Sequence, residues 1–265
     1  MRPLRLAWFV TTFALACSGP ERAARAPHPG RPHLTVMSYN VNFGIAGDPE
    51  TLALIEGAGA DLVLLQETTP AWEAAIRARL GPRYPFMAFR HSEAWPAGGL
   101  AVLSKRPFVD AQLIPSPVGW FPAWRIVAET PIGPVQALNV HLRPPLSDPS
   151  SFARGYFSTR KDRRAEIEAY VERLDRSLPT LVCGDFNEDE DGRAVGFLAS
   201  RGMSSALPEL RPDADTWQWH TSVGPIRSRL DHVVYDRAHL DPLDVRVLEA
   251  GSSDHFPLVA IFEKR

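Results

Sequence analysis

A layered α/β or α+β fold is what this sequence predicts, and three observations predict it. Short apolar runs of β type recur, each ending in a polar or acidic residue. Amphipathic helical patterns lie between them. The composition, 45% hydrophobic and 23% charged over 265 residues, suits a globular chain able to bury a sizeable core. Strands interleaved with helices favour stacked layers over an all-β arrangement. No internal repeat is visible after Pro32, and one large domain is the economical reading of the length.

In chain order, Leu34 to Tyr39 ends at Asn40, and Asp61 to Leu65 ends at Gln66-Glu67. Val135 to Val140 ends at His141, and Thr180 to Gly184 ends at Asp185. Continuous apolar runs of this length suit strands buried on both faces. Polar residues placed where such strands end can converge on one rim. Helical patterns cover Pro49 to Gly57 and Ala71 to Leu80 after Pro70. A third covers Lys161 to Leu174, with Ile167, Tyr170, Val171 and Leu174 on one face. The late strands are Arg229 to Tyr235, Val245 to Leu248 and Pro257 to Phe262.

The first 32 residues differ in kind. Residues 1–16 read as an export signal: arginines at 2 and 5, an apolar run from Leu6 to Ala16, and the small residues Ala14 and Ala16 before Cys17. The run of eleven is too short to cross a hydrocarbon core, which needs about twenty residues. Cys17 after Ala16 suggests a lipoprotein held to the cell-envelope membrane through acylated Cys17. Plain secretion is the alternative, because Ala14 stands where lipoprotein signals carry leucine. Residues 17–32, rich in Pro, Ala, Gly and Arg, read as a flexible tether, and 33–265 as the folded domain.

With Cys17 lipidated or removed, Cys183 is the one remaining cysteine, so the mature chain, expected to be a monomer, rests on its core without a disulfide. Five arginines and one glutamate lie in residues 1–32, leaving 24 basic and 30 acidic residues and a formal charge of −6. That balance argues against tight, non-specific nucleic-acid binding but not against a nuclease.

Taken singly, the polar strand ends are weak signals, since an Asn or Asp after a strand is usually turn chemistry. The set is stronger. Gly184-Asp185-Phe186-Asn187 places a carboxylate and an amide two apart, where extended backbone points both the same way. The carboxylate can orient a water or hold a metal, and the amide can donate to a phosphoryl oxygen. Ser253-Asp254-His255 adds an imidazole able to exchange protons near neutral pH. Asp231 interrupts a strand otherwise fit for burial, and a buried carboxylate needs a partner. His255 is the expected one, which requires their two strands to be neighbours.

The ordered set Ser38-Tyr39-Asn40-Val41, Leu65-Gln66-Glu67, Gly99 to Lys105, Asn139-Val140-His141-Leu142, Gly184 to Asn187, Thr216-Trp217, Arg229 to Val233 and Ser253-Asp254-His255 resembles the endonuclease/exonuclease/phosphatase superfamily, the fold of pancreatic-type deoxyribonuclease. The resemblance spans His33 to Phe262. It implies a four-layered α/β sandwich, two packed mixed β-sheets flanked by helices, with the site at one rim. It implies Glu67 as principal metal ligand, with Asn40 and Asp254 near the ion, which would be Mg²⁺ or Mn²⁺. Asp185 would orient water or stabilise the leaving group's side, Asn187 would contact phosphoryl oxygens, and His255, held by Asp231, would act as base or phosphate-binding imidazole. His141 matches deoxyribonuclease-like, sphingomyelinase-like and tyrosyl-DNA phosphodiesterase-like members and disfavours abasic-site repair. Asn42 departs from the Asp of many nuclease members.

The resulting expectation is an exported, metal-dependent hydrolase of phosphate esters, most simply a phosphodiesterase of nuclease or phospholipid type. Sugar- or inositol-phosphate phosphatase and a non-catalytic, envelope-anchored binding module stay open. Trp95, Trp120, Phe121, Trp124, Trp217 and Trp219 are aromatics near expected loops, suited to stacking bases, meeting lipid, or packing. The basic cluster Arg154, Arg160, Lys161, Arg163 and Arg164 suits either an anionic substrate or a solvated helix face.

Overall fold

In the computed structural model, which describes residues 23–145, 152–222 and 224–265, the apolar runs become strands of two six-stranded mixed sheets. The export signal and Cys17 fall outside the described residues. The first sheet holds β1 (Leu34–Asn40), β2 (Leu62–Gln66), β3 (Phe86–Arg90), β4 (Leu100–Ser104), β13 (Leu240–Val247) and β14 (Leu258–Lys264), in the order β13-β14-β1-β2-β4-β3. The second holds β5 (Phe108–Ile114), β6 (Ala123–Thr130), β7 (Gly133–His141), β8 (Thr180–Asp185), β9 (Met203–Ser205) and β12 (Asp231–Asp236), in the order β5-β6-β7-β8-β12-β9. Between β9 and β12 in sequence, β10 (Trp217–Thr221) and β11 (Gly224–Ser228) form a separate hairpin.

Helices cover the outer faces. α1 (Pro49–Ala58) and α2 (Pro70–Leu80) each start at a proline behind a capping side chain, Asp48 on the Thr51 amide and Thr69 on the Trp72 amide. Their residues Leu52, Ile55, Trp72, Ile76 and Leu80 pack on Met37, Tyr39, Val63, Leu65, Ala101 and Leu103. α3 (Phe152–Val171) and α4 (Arg193–Ser200) cover the second sheet, where Ile167, Tyr170, Ala194 and Leu198 meet Leu138, Val140, Val182 and Val234. The short α5 (Ala206–Leu210) adds Ala206, Leu207 and Leu210 to the core between the sheets. The four layers expected from the sequence are therefore present.

Alternation along the strands then locates the site. Side chains two apart share a face, and on each central strand the inward face changes from apolar to polar toward one rim. On β1 it runs Leu34, Val36, Ser38, Asn40; on β2 Leu62, Leu64, Gln66; on β7 Val135, Ala137, Asn139, His141; on β8 Leu181, Cys183, Asp185. β12 is antiparallel to β8 and reads the same way in reverse, Tyr235, Val233, Asp231. Just below the rim Asn139 ties the sheets together. It accepts from Gln66 Nε2 at 2.7 Å and donates to the Leu65 and Ala101 carbonyls at 3.0 and 3.1 Å.

Two placements differ from simple expectation. Strands β12 and β14, expected to be neighbours so that Asp231 and His255 can meet, lie in opposite sheets and face each other across the sandwich. The residues still meet, because each stands at the rim of its own sheet. Residues 25–31, at the end of the stretch read as a tether, lie along the edge strand β13 and its neighbour. The Arg25 amide donates to the Leu243 carbonyl at 2.7 Å and its guanidinium pairs with Asp241 at 2.6 Å. His28 reaches Glu263 through its amide and its ring, at 2.7 and 2.8 Å.

Candidate active site

Strand register assembles the second sheet's share of the site: His141 and Asp231 stand on either side of Asp185. Gly184 makes this approach possible. Its φ is +147°, and a Cβ there would run into the Val140 carbonyl. From the facing sheet, the Asn40 amide donates to both Glu67 Oε1, at 3.0 Å, and Asp185 Oδ2, at 3.2 Å. Glu67 follows β2 with left-handed backbone, φ 62°, and its second oxygen accepts the Phe43 amide at 3.1 Å. Burial pushes the Glu67 carboxyl up, against the pull of the Asn40 and Phe43 hydrogen bonds, and nearby Asp254 adds to the rise.

The imidazoles are held differently. His255 Nδ1 lies 2.8 Å from Asp231 Oδ2, while its Nε2 lies 3.6 Å from Asp185 Oδ2. Burial alone would favour the neutral ring, but the carboxylates of Asp231, Asp185 and Asp254 outweigh it and hold His255 protonated, well above the usual histidine range. Burial raises Asp185 in turn, despite the opposing pull of His255 and His141. His141 is pushed down by burial, toward the neutral form. Its Nδ1 donates to the Ala97 carbonyl at 3.1 Å, which leaves Nε2 bare, 3.5 Å from Asp185 Oδ2.

Asn187 is joined to the cluster through Asp185, whose Oδ1 accepts its backbone amide at 2.8 Å; its side-chain amide donates to the Leu142 carbonyl at 3.0 Å. Asp254 accepts from Asn42 Nδ2 and from the Trp217 indole, each at 3.1 Å. The eight site residues read from sequence thus form one connected cluster. Several of its supports carried no assignment there. The Ala97 carbonyl leaves no trace in a sequence; Thr216, whose hydroxyl accepts the Leu230 and Asp231 amides at 3.0 and 2.9 Å, stood only as a motif residue. Asn42 holds one oxygen of Asp254 and the Trp217 indole the other.

Of the basic cluster near Arg160, three members engage the protein itself, while Lys161 is exposed. Arg163 forms a fully buried pair with Glu188, Arg160 donates to the Asp191 carbonyl, and Arg164 pairs with Glu168. Of the aromatics, Phe121, Trp124 and Trp217 are buried, whereas Trp95 and Trp219 are exposed. Among the described residues no helix is long and apolar enough to cross a membrane.

A family model, that of the endonuclease/exonuclease/phosphatase family, matches residues 37–255. The chain belongs to this family. Endonuclease/exonuclease/phosphatase proteins are hydrolases acting on phosphate esters. Solved structures share the fold at low identity. A family member from Beutenbergia cavernae has a TM-score of 0.70 at 20% identity, covering 88% of this chain and 72% of that one. The human Nocturnin catalytic domain, with bound sulfate, has 0.64 at 19%, covering 89% and 96%. TDP2 of D. rerio, complexed with single-strand DNA product, has 0.66 at 18%, covering 87% and 99%. No curated protein sequence matches the chain.

Proposed function

We propose that the chain is an exported, monomeric, divalent-metal-dependent phosphodiesterase, directed out of the cytoplasm by residues 1–16 and anchored to the envelope membrane at Cys17. One observation carries the catalytic reading: a single amide, Asn40, bridges the half-buried carboxylate of Glu67 and the buried one of Asp185 beside an imidazole clamped by a third, Asp231.

That donor set fits a hard cation. Two buried carboxylates, Asp185 and Asp231, and two half-buried ones, Glu67 and Asp254, gather around the His255 imidazolium, and Asp231 Oδ1 is buried with no hydrogen-bond partner. Oxygen donors without a cysteine cluster suit Mg²⁺ or Mn²⁺. Asp185, Asp231 and His255 also bring ligand atoms within 4.8 Å of one another. A protonated His255 has no lone pair to offer, so Glu67, with Asn40 and Asp254, is the better seat. When bound, the ion would supply positive charge against the phosphoryl oxygens.

The remaining work falls to the side chains. Asp185 accepts a proton from the attacking water, and the His255 imidazolium, fixed by Asp231, stabilises the charge that gathers beside it. The water oxygen bonds to phosphorus as the opposite P–O ester bond breaks. The departing alkoxide takes up a proton from solvent, leaving a phosphomonoester and an alcohol. The second N–H of the Asn187 side-chain amide serves the phosphoryl oxygens, while both N–H groups of Asn40 hold Glu67 and Asp185 in place.

Hydrolysis of methyl p-nitrophenyl phosphate by the full chain with Mg²⁺, repeated in excess chelator and with Glu67→Gln, tests this. Glu67→Gln keeps the shape and removes the charge, so metal affinity and rate should fall together while the fold persists. Undiminished turnover in chelator sinks the metal mechanism.

A further inference from the structure

The catalytic cluster lies midway along the seam, or slot, where the rims of the two sheets face each other, and aromatic rings stand at both ends of that seam. Packing of the sheets fixes the order: β14 and β1 lie over β12 and β8, and β2 lies over β8 and β7. His141, on β7, therefore marks one end and Asp254, before β14, the other.

At the first end a chain of rings leads outward from His141. Phe121 lies 4.5 Å from its ring, Trp120 meets Phe121 edge-on at 5.7 Å, and Trp95 stacks on Trp120 at 5.0 Å and 20°. The Arg143 guanidinium sits 5.2 Å over Trp120. At the second end the Trp217 indole, bonded to Asp254, lies nearly parallel to Trp219, 6.4 Å away at 14°. Trp219 lines a groove of about 390 Å³ with Gln218, His220, Asn42, Ser252 and Asp254. Trp95 is 44% exposed and Trp219 56%, so each end presents an indole to solvent, linked to the cluster through Trp120 and Phe121 at one end and Trp217 at the other.

This pattern discriminates among phosphate esters. A phosphomonoester needs one specificity arm, whereas a diester has two, and here two platforms flank one centre. Asn42, Ser252 and Asp254 in this groove are already paired within the protein, but an acyl chain lying there would still cover the Gln218 amide and the His220 imidazole with apolar surface. A nucleobase offers a flat face to the indole and a hydrogen-bonding edge to Gln218 and His220. Base faces are covered within a duplex, so such platforms read unpaired bases. The formal charge of −6 beyond residue 32, and the Arg143 pairing with Asp162 at 2.6 Å, leave little cationic surface for a long run of phosphates.

Resting on the phosphodiesterase reading, we propose that the slot takes a phosphodiester bearing a nucleobase on each arm, a dinucleotide or short single-stranded oligonucleotide, with Trp219 stacking one base and Trp95 the other.

The test uses the full chain with Mg²⁺ and four substrates: methyl p-nitrophenyl phosphate, a dinucleotide, its abasic analogue with the same backbone, and sphingomyelin vesicles. Trp219→Ala and Trp95→Ala change exposed rings, with Val109→Ala on β5 as a surface control. Each tryptophan variant should lower kcat/KM on the dinucleotide by about 5- to 100-fold, as loss of one base-stacking contact does. The loss on the abasic analogue should be several-fold smaller, and Val109→Ala should match the parent chain. Equal cleavage of dinucleotide and abasic analogue, equal losses on both, or preference for sphingomyelin overturns the proposal. Failure to cleave any ester, methyl p-nitrophenyl phosphate included, removes the phosphodiesterase reading and this proposal with it.

Discussion

Among the described residues, the non-glycine positions with left-handed backbone are Asn42, Glu67 and Asn187, at φ 57°, 62° and 52°, and all three belong to the site or its support. Asn tolerates this region, but Glu has no local compensation and costs roughly 1–2 kcal/mol there. Strain concentrated at one cluster marks where the fold was shaped for chemistry rather than stability. The Asp231–His255 pair lets that be tested residue by residue. Asp231 accepts from the ring at one oxygen and is held in place through Thr216, which accepts its backbone amide. Asn at 231 would turn an N–H toward His255 Nδ1 and remove the charge that stabilises the imidazolium. His255→Ala should lower the rate by about 10²–10⁴, and Asp231→Asn by a comparable factor. The double variant should be little worse than either, since the residues act as a unit. Measuring kcat and Tm on the three decides: additive rate losses, or a Tm loss without a rate loss, reduce the pair to a structural one.

At the scale of elements, α3 carries a further consequence. Glu166 on its inner face is fully buried, accepting the Arg143 amide at 2.9 Å and the Ser116 hydroxyl at 2.7 Å. Burial, with a contribution from Asp162, pushes its carboxyl up to about 7 against the two hydrogen bonds and Arg143. The unfolded carboxyl titrates near 4.5, so between those values the folded chain binds more protons. This group's stability contribution is complete below pH 4.5 and is lost as pH rises through 7, by about 3 kcal/mol. Glu166→Gln keeps the shape, the Arg143 amide on its oxygen and, with the amide nitrogen now donating to the Ser116 hydroxyl, the second contact, so its Tm should exceed the parent's at pH 8 and match it near pH 4.5; a pH-independent difference would show the cause to be packing. The same helix shows why some of the fold was illegible in sequence. Its apolar stripe begins only after Lys161, whereas the helix starts at Phe152, because Gly155, Ser158 and Thr159 carry no stripe. β13 starts at Leu240 rather than Val245, since Pro242 and a bulge after it are tolerated on an edge strand. β5, β10 and β11 are largely solvent-facing and show no apolar run. Strands buried on both faces, β1, β2, β7 and β8, were legible, and with them the site side chains at their ends.

For the whole molecule, the decisive relation is between its two ends. Antiparallel pairing sets Ser38 opposite Leu258 near the slot and Leu34 opposite Phe262 at the far end, where Leu240 also meets Lys264. Residues 25–31 bind at that far end, through Asp241, Leu243 and Glu263, and cover the open edge of β13. An uncovered edge strand presents unpaired backbone groups to other chains. Chain that begins at His33 would lose this cover and leave the Glu263 carboxylate, now shared by His28 and Arg31, without its partners. Compared with chain beginning at Ser18, it should melt a few degrees lower and associate more readily, while kcat stays the same because the slot lies at the other end of the strands. Glu263→Gln in the longer chain should reproduce part of the Tm loss without removing the cover. A segment acting purely as a tether makes the opposite forecast: both changes would leave Tm and solution state untouched. A fall in kcat with Tm unchanged would count against the separation of ends itself, since it would mean that residues 23–32 reach the slot.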